Sequence, residues 1–153
     1  MKTALDLGFI ALTDAAPLIV AQTHGLFASE GLDVSLHREV SWATIRDKVS
    51  AGVFQAAHML APMAIATNLG VGSERAHVVV PMSLNAHGAG IGVSATLADE
   101  MAQADPAAPL SATALAGAVA QRRRAGKPNI SFAVVFPYSM HNYMLRFWAA
   151  SAG

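Results

Sequence analysis

The chain has 153 residues, 10 Lys plus Arg against 10 Asp plus Glu, and no cysteine. That length suits one domain with a substantial core, and the balanced charge excludes a basic footprint of the kind that drives nucleic-acid binding. The lack of cysteine excludes disulfides, thiolate catalysis and Cys-based zinc or iron–sulfur sites, and 54% apolar against 13% charged residues excludes intrinsic disorder. A membrane span needs about 20 apolar residues without charges. The best run, 51–66, is shorter and contains Gln55, His58 and Pro62. No signal peptide is legible at the start, because Asp6 and Asp14 interrupt what would be its apolar region. The high mean hydropathy of +0.41 instead predicts parallel strands buried on both faces.

Short β-rich runs alternate with helical ones. Residues 4–10 read as a strand and 15–28 as a helix with Pro17 in its first turn. Glu30-Gly31 stops that helix before a strand at 33–39. Ser41 is a good N-cap for a helix over 42–50 that ends at Ala51-Gly52. Residues 55–60 predict a short buried strand, and Pro62 opens a helix closing at Asn68-Leu69-Gly70. Residues 76–82 and 89–94 predict two more strands around the turn Asn85-Ala86-His87-Gly88. The breaker run 105–109 separates two Ala-rich helices, 97–104 and 111–124. A strongly β stretch at 131–136 then leads into a last helix over 138–150, bearing Tyr143, Phe147 and Trp148. The order predicts an α/β fold with a mainly parallel sheet and helices on both faces. The final strand and helix are half of a βαβ unit, as expected for the front part of a longer, two-lobed protein.

Ligands of open parallel sheets sit outside the carboxyl ends of the strands. Thr13-Asp14, Ser41-Trp42, Leu60-Ala61-Pro62 and Tyr138-Ser139 occupy those places. Each opens a helix, whose free N–H groups and dipole suit an anion. Trp42 could lay its ring over a planar ligand and donate its indole N–H, or it could be a core tryptophan. His141, in the first turn of the last helix, could hold an anion or simply cap the helix. His87 could face the same crevice or lie in water. Asp14 reads as a helix cap. The six histidines, His24, His37, His58, His77, His87 and His141, show no metal-binding spacing. GxSxG, GxxxxGK[ST] and GxGxxG are all absent. Arg122-Arg123-Arg124 reads as a solvated helix end.

An ordered series of segments carries a resemblance. It comprises Asp14-Ala15-Ala16-Pro17-Leu18, Gly25-Leu26-Phe27, Glu30-Gly31-Leu32 and Ser41-Trp42-Ala43-Thr44-Ile45-Arg46-Asp47-Lys48. Ala57-His58-Met59-Leu60-Ala61-Pro62-Met63, Leu84-Asn85-Ala86-His87-Gly88 and the run 136–148, from Phe136-Pro137 to Phe147-Trp148, complete it. The series resembles the nitrate- and bicarbonate-binding proteins of ABC importers (the Nrt/Cmp type) and the related Nas-type nitrate/nitrite sensors. The resemblance implies a type II periplasmic-binding-protein fold, truncated here, with an anion in a cleft between two lobes. It implies that 1–95 are the first part of lobe one, 96–129 a helical connection and 130–153 the beginning of lobe two. It also implies anion contacts from Trp42 and His141, with Asn85 and Gly88 lining the pocket. Ser139, at the start of the last helix, completes the candidate anion-binding set. A basic residue that the family carries later in lobe two has no counterpart here.

The expected function is therefore non-enzymatic binding of a small oxyanion, without metal or cofactor. Nitrate or nitrite comes first, because bicarbonate carries a hydroxyl donor and favours a carboxylate partner, and Asp14 reads as a cap. Bicarbonate transport is the alternative, and an incomplete piece without function of its own is another. An enzyme of the thiamine-pyrimidine-synthesis type shares the fold, but its cysteine-rich segment is absent. The start of the chain at its first strand favours a cytoplasmic sensor partnered by an antiterminator-type regulator. The periplasmic alternative is a transporter component partnered by an ABC permease. Neither role calls for direct nucleic-acid contact or a membrane span.

Overall fold

Parallel pairing organises the first part of the chain. The computed structural model describes residues 2–86 and 88–152. Three strands, β1 (Thr3–Ile10), β2 (Leu32–Glu39) and β3 (Ala56–Ala57), form one sheet in the order β2-β1-β3. Both pairings are parallel, with Thr3 opposite Leu32, Ile10 opposite Glu39, and Leu7 and Gly8 opposite Ala56 and Ala57. Parallel neighbours need crossovers. Helices α1 (Ala16–Thr23) and α2 (Leu26–Ser29) link β1 to β2, α3 (Trp42–Ser50) links β2 to β3, and α4 (Ala61–Leu69) follows β3. Ser41 caps α3, its Oγ accepting the Ala43 N–H at 3.2 Å. Leu7, Val34, Ile45, Phe54, Met63 and Ala64 are buried in this part of the chain. Gly8 lets β1 lie close under α3 and Phe54: a Cβ there would stand 2.5 Å from Phe54 Cδ2 and 3.0 Å from Ile45 Cδ1.

Several expectations are corrected. The helix expected over 15–28 is broken: a 3-10 turn at Thr13–Ala15 precedes α1, and Gly25 at φ 68° separates α1 from α2. That left-handed conformation suits glycine and ends the first helix. The strand expected over 55–60 narrows to β3. Its ladder reaches from the Gln55 N–H, donating to Asp6 O at 3.0 Å, to the His58 N–H, donating to Gly8 O at 2.9 Å. The chain then turns into α4, which has proline in its first turn. The runs 76–82, 89–94 and 131–136 carry β propensity but are not strands. A strand exists only where a neighbouring backbone supplies its ladder, and no such partner lies beside them among the described residues. At 76–82 a side chain takes that part. Asn68 Nδ2 donates to Val78 O at 2.6 Å, and Asn68 Oδ1 accepts the Val78 N–H at 3.3 Å.

The backbone divides into two compact units, Met1–Gly88 and Ala89–Gly153. Residues 89–95 thus group with the second unit, which contains α5 (Ala95–Ala104), α6 (Ala112–Arg124) and α7 (Met140–Ala150). Each of these helices begins with a serine cap, Ser94, Ser111 and Ser139, accepting from Leu97, Ala114 and Asn142 N–H groups. Leu97, Met101, Ala114, Leu115 and Ala118 form a core between α5 and α6, covered in part by Val93, Ile130 and Trp148. Trp148 is therefore packed, whereas Tyr143 and Phe147 on the same helix are exposed. Glu100 ties α5 to the end of α6: Arg122 Nη1 donates to both of its carboxylate oxygens at 3.0 and 2.8 Å, and Lys127 Nζ donates at 2.9 Å. The hydrogen bonds from Arg122 first, and then from Lys127, hold the Glu100 carboxyl below its ordinary range.

Two predictions concern stability. Gly8→Ala should lower the unfolding free energy by about 1–3 kcal/mol, as overpacking does, whereas Gly92→Ala, with open space around it, should change it by less than about 0.5 kcal/mol. Urea unfolding of the two variants checks this, and equal effects would contradict the close approach at β1. The second follows from Glu100. Its lowered folded-state pKa means that its contribution is present above the unfolded value of about 4.3 and is lost as pH falls through the folded value. The stability advantage of the parent over Glu100→Gln should hold from about pH 7 to 5 and shrink below about pH 4. An advantage that grows on acidification would contradict the ion-pair account.

Candidate functional site

The ends of the three strands deliver three side chains to one place at the carboxyl edge of the sheet. Asp14 lies in the 3-10 turn after β1, Trp42 opens α3 after β2, and His58 directly follows β3. His58 Nε2 stands 3.2 Å from Asp14 Oδ2. The Trp42 and His58 rings meet edge-on, their centroids 5.0 Å apart and their planes at 71°. His58 and Trp42 are 5% and 7% exposed and the Asp14 side chain 31%, so the cluster is dry at its two rings and meets solvent at the carboxylate. Two polar atoms in it, Asp14 Oδ1 and His58 Nδ1, are buried without a hydrogen-bond partner. Leaving a buried donor or acceptor unmatched costs about 1–3 kcal/mol, which makes such atoms natural ligand contacts.

Asp14 corrects the reading that made it a cap. The turn it occupies is capped at Leu12 without any side-chain hydrogen bond, and its carboxylate pairs with His58 instead. Trp42 does lie near the carboxyl edge, but it is buried rather than open to solvent. Asn85 and Gly88 are exposed. The Asn85 carbonyl accepts from Ser83 Oγ at 2.6 Å, and Gly88 has φ 109° with no atom within 4 Å of where a Cβ would be. His87, between them, lies outside the described residues.

In the second unit, Ser139 is fully buried and its Oγ accepts the Asn142 N–H at 3.2 Å. His141 follows in the first turn of α7, with its Nδ1 buried and unpartnered. Thus, among the described residues, each unit holds one histidine whose Nδ1 is both buried and unpartnered. The sequence reading missed His58 because it carried the third strand to residue 60. The edge rule then pointed at Leu60-Ala61-Pro62, two residues too far along. Applied to a strand ending at Ala57, the same rule selects His58. Among the described residues, no group of three or more His, Asp or Glu side chains converges as a metal site. No helix among them is long and apolar enough to cross a membrane.

This architecture is that of the periplasmic-binding-protein class. The structure superposes on the crystal structure of the periplasmic nitrate-binding protein NrtA from Synechocystis PCC 6803 with a TM-score of 0.78 and 30% identity, over 99% of this chain and 38% of that one. The profile of the NMT1-like family matches residues 1–153, and the chain belongs to that family. It is 36% identical to the nitrate/nitrite binding protein NrtA of Synechococcus elongatus, over 97% of its own length and 34% of the relative's. It is 37% identical to the bicarbonate transport ATP-binding protein CmpC of the same organism, over 98% of its own length and 21% of that protein's. The chain thus spans about a third of the NrtA relatives and a fifth of CmpC, in keeping with the expectation that the family is much longer. The structural relative is described as periplasmic, which does not support the cytoplasmic reading drawn from the chain's start.

Proposed function

We propose that the chain binds a small oxyanion, nitrate or nitrite first, as part of the substrate-binding component of an ABC importer in the periplasm, with an ABC permease as its partner. Binding is non-enzymatic and needs no cofactor. The observation that carries the reading is the cluster at the carboxyl edge, where Trp42 packs on a buried histidine and polar atoms stand unmatched. A mostly apolar lining with a few polar groups is what a small-ligand site needs. The NrtA relatives support nitrate and nitrite by what they are said to bind. In the first unit Trp42 contributes an N–H donor, with Asn85 and Gly88 on the turn as further contacts; the second unit, taken by itself, offers His141 and the α7 N-terminus as anion contacts.

Bicarbonate is the second reading, and one observation favours it. Asp14 Oδ1 is a buried acceptor without a donor, and bicarbonate brings an O–H where nitrate only accepts. The argument that set bicarbonate aside, a capping role for Asp14, does not hold. Calorimetric titration with nitrate, nitrite and bicarbonate decides between them. Trp42→Phe keeps a ring but removes the indole donor, and His141→Ala removes another. Each should weaken binding of the preferred anion about 10- to 150-fold, since a hydrogen bond to a charged group is worth roughly 1.5–3 kcal/mol. Thermal unfolding measured alongside separates lost contacts from lost packing around the buried Trp42. Parent-like binding of all three anions by both variants would remove these two residues from the site.

A further inference from the structure

His58 has two ring nitrogens in different circumstances. Nε2 lies within ion-pair distance of the Asp14 carboxylate, at 3.2 Å from Oδ2. Nδ1 is buried and has no partner. With an acceptor at each nitrogen, the Asp14 carboxylate at Nε2 and an anion at Nδ1, the ring donates to both only as the imidazolium. The Trp42 ring lies against the same imidazole. We infer that His58 is a further anion-binding residue, donating its Nδ1–H to the oxyanion, and that Asp14 is a positioning residue that fixes the ring through Nε2. This rests on the oxyanion-binding reading above and extends it to a residue pair that the reading does not need. The cationic ring also offsets the Asp14 charge, which would otherwise repel the incoming anion. Asp14 is the charged group within ion-pair distance of the ring among the described residues. Of the other charged side chains on the neighbouring elements, Arg46 pairs with Asp47 and the Gly72 carbonyl, Lys48 with Glu39, and Asp6 with His37, while Asp33 and Arg38 on β2 are exposed. Strand β3 and helix α4 carry no charged residue.

The two nitrogens can be tested separately, because an Asn amide mimics the position of Nδ1 and a Gln amide that of Nε2. His58→Asn keeps the donor for the anion and gives up the Asp14 contact. His58→Gln does the reverse. Calorimetry of the 153-residue chain with nitrate, nitrite and bicarbonate should show His58→Gln binding at least about 10-fold more weakly than the parent, with His58→Asn retaining the greater part of the affinity. A second readout uses the parent alone. On saturation with the bound anion at pH 8, the imidazole nitrogen-15 resonances of His58, identified by their loss in His58→Gln, should move to the protonated range at Nδ1. In Asp14→Asn the same movement should be reduced. If the parent binds an anion but Gln equals or exceeds Asn, or if the Nδ1 resonance stays put, the His58 assignment is overturned while the oxyanion reading stands. If the parent binds none of the three anions, both fall together.

Discussion

Both strand pairings are parallel, and a parallel pair is joined only by a crossover that carries the chain back to the end where it began. All three strands therefore finish at the same edge, and the residue that follows each is delivered there without any long-range design. β1 is central, so Asp14 comes from the middle of that edge, Trp42 from one side and His58 from the other. Gly8 permits this arrangement. A side chain at that position would push Phe54 and Ile45 away from β1, moving the first turn of α3 and with it Trp42. The caps act in the same sense: Ser41 sets where α3 begins, and so fixes Trp42 as its first residue.

How much of this was legible in the sequence follows the range of the forces involved. Ser41 as a cap, Gly70 as a stop and the helix over 42–50 are local matters, settled by a hydroxyl or a left-handed glycine within a few residues, and the sequence shows them. The strands at 4–10 and 33–39 were legible because each has a full-length partner. The runs at 76–82, 89–94 and 131–136 have the same β-branched character, yet strand formation depends on a neighbouring ladder that composition does not encode. Val79 and Met82 are 70% and 67% exposed, as expected for β-prone residues without a sheet to join. The candidate site divides in the same way. Trp42 and Ser139 are readable from caps and strand ends, whereas the Asp14–His58 pair joins residues 44 apart and appears only when the sheet is assembled.

The pair is buried on one side only, with His58 at 5% and the Asp14 side chain at 31% exposure. An ion pair that loses part of its hydration often contributes little net stability, because desolvation offsets the attraction. An apolar pair of similar size would serve the fold as well. The pair here also leaves one atom of each partner unmatched, which a purely structural pair would avoid, since complete hydrogen bonding is what makes buried polar groups tolerable.

The two unmatched atoms differ in sign, and under the proposed anion reading that difference would set the terms of selectivity. His58 Nδ1 as a donor can be met by any oxyanion, whereas Asp14 Oδ1 is met only by one that carries a hydrogen. An acceptor-only anion such as nitrate would leave the carboxylate oxygen orphaned and face its charge, which the neighbouring imidazolium offsets. A hydrogen-bearing anion would satisfy both atoms but must orient its single O–H toward Asp14. Selectivity in such a site is decided less by the donors, which are common to both ligands, than by whether the acceptor is used. On that proposal Asp14, rather than Trp42, is the residue at which a nitrate binder and a bicarbonate binder on this scaffold would differ.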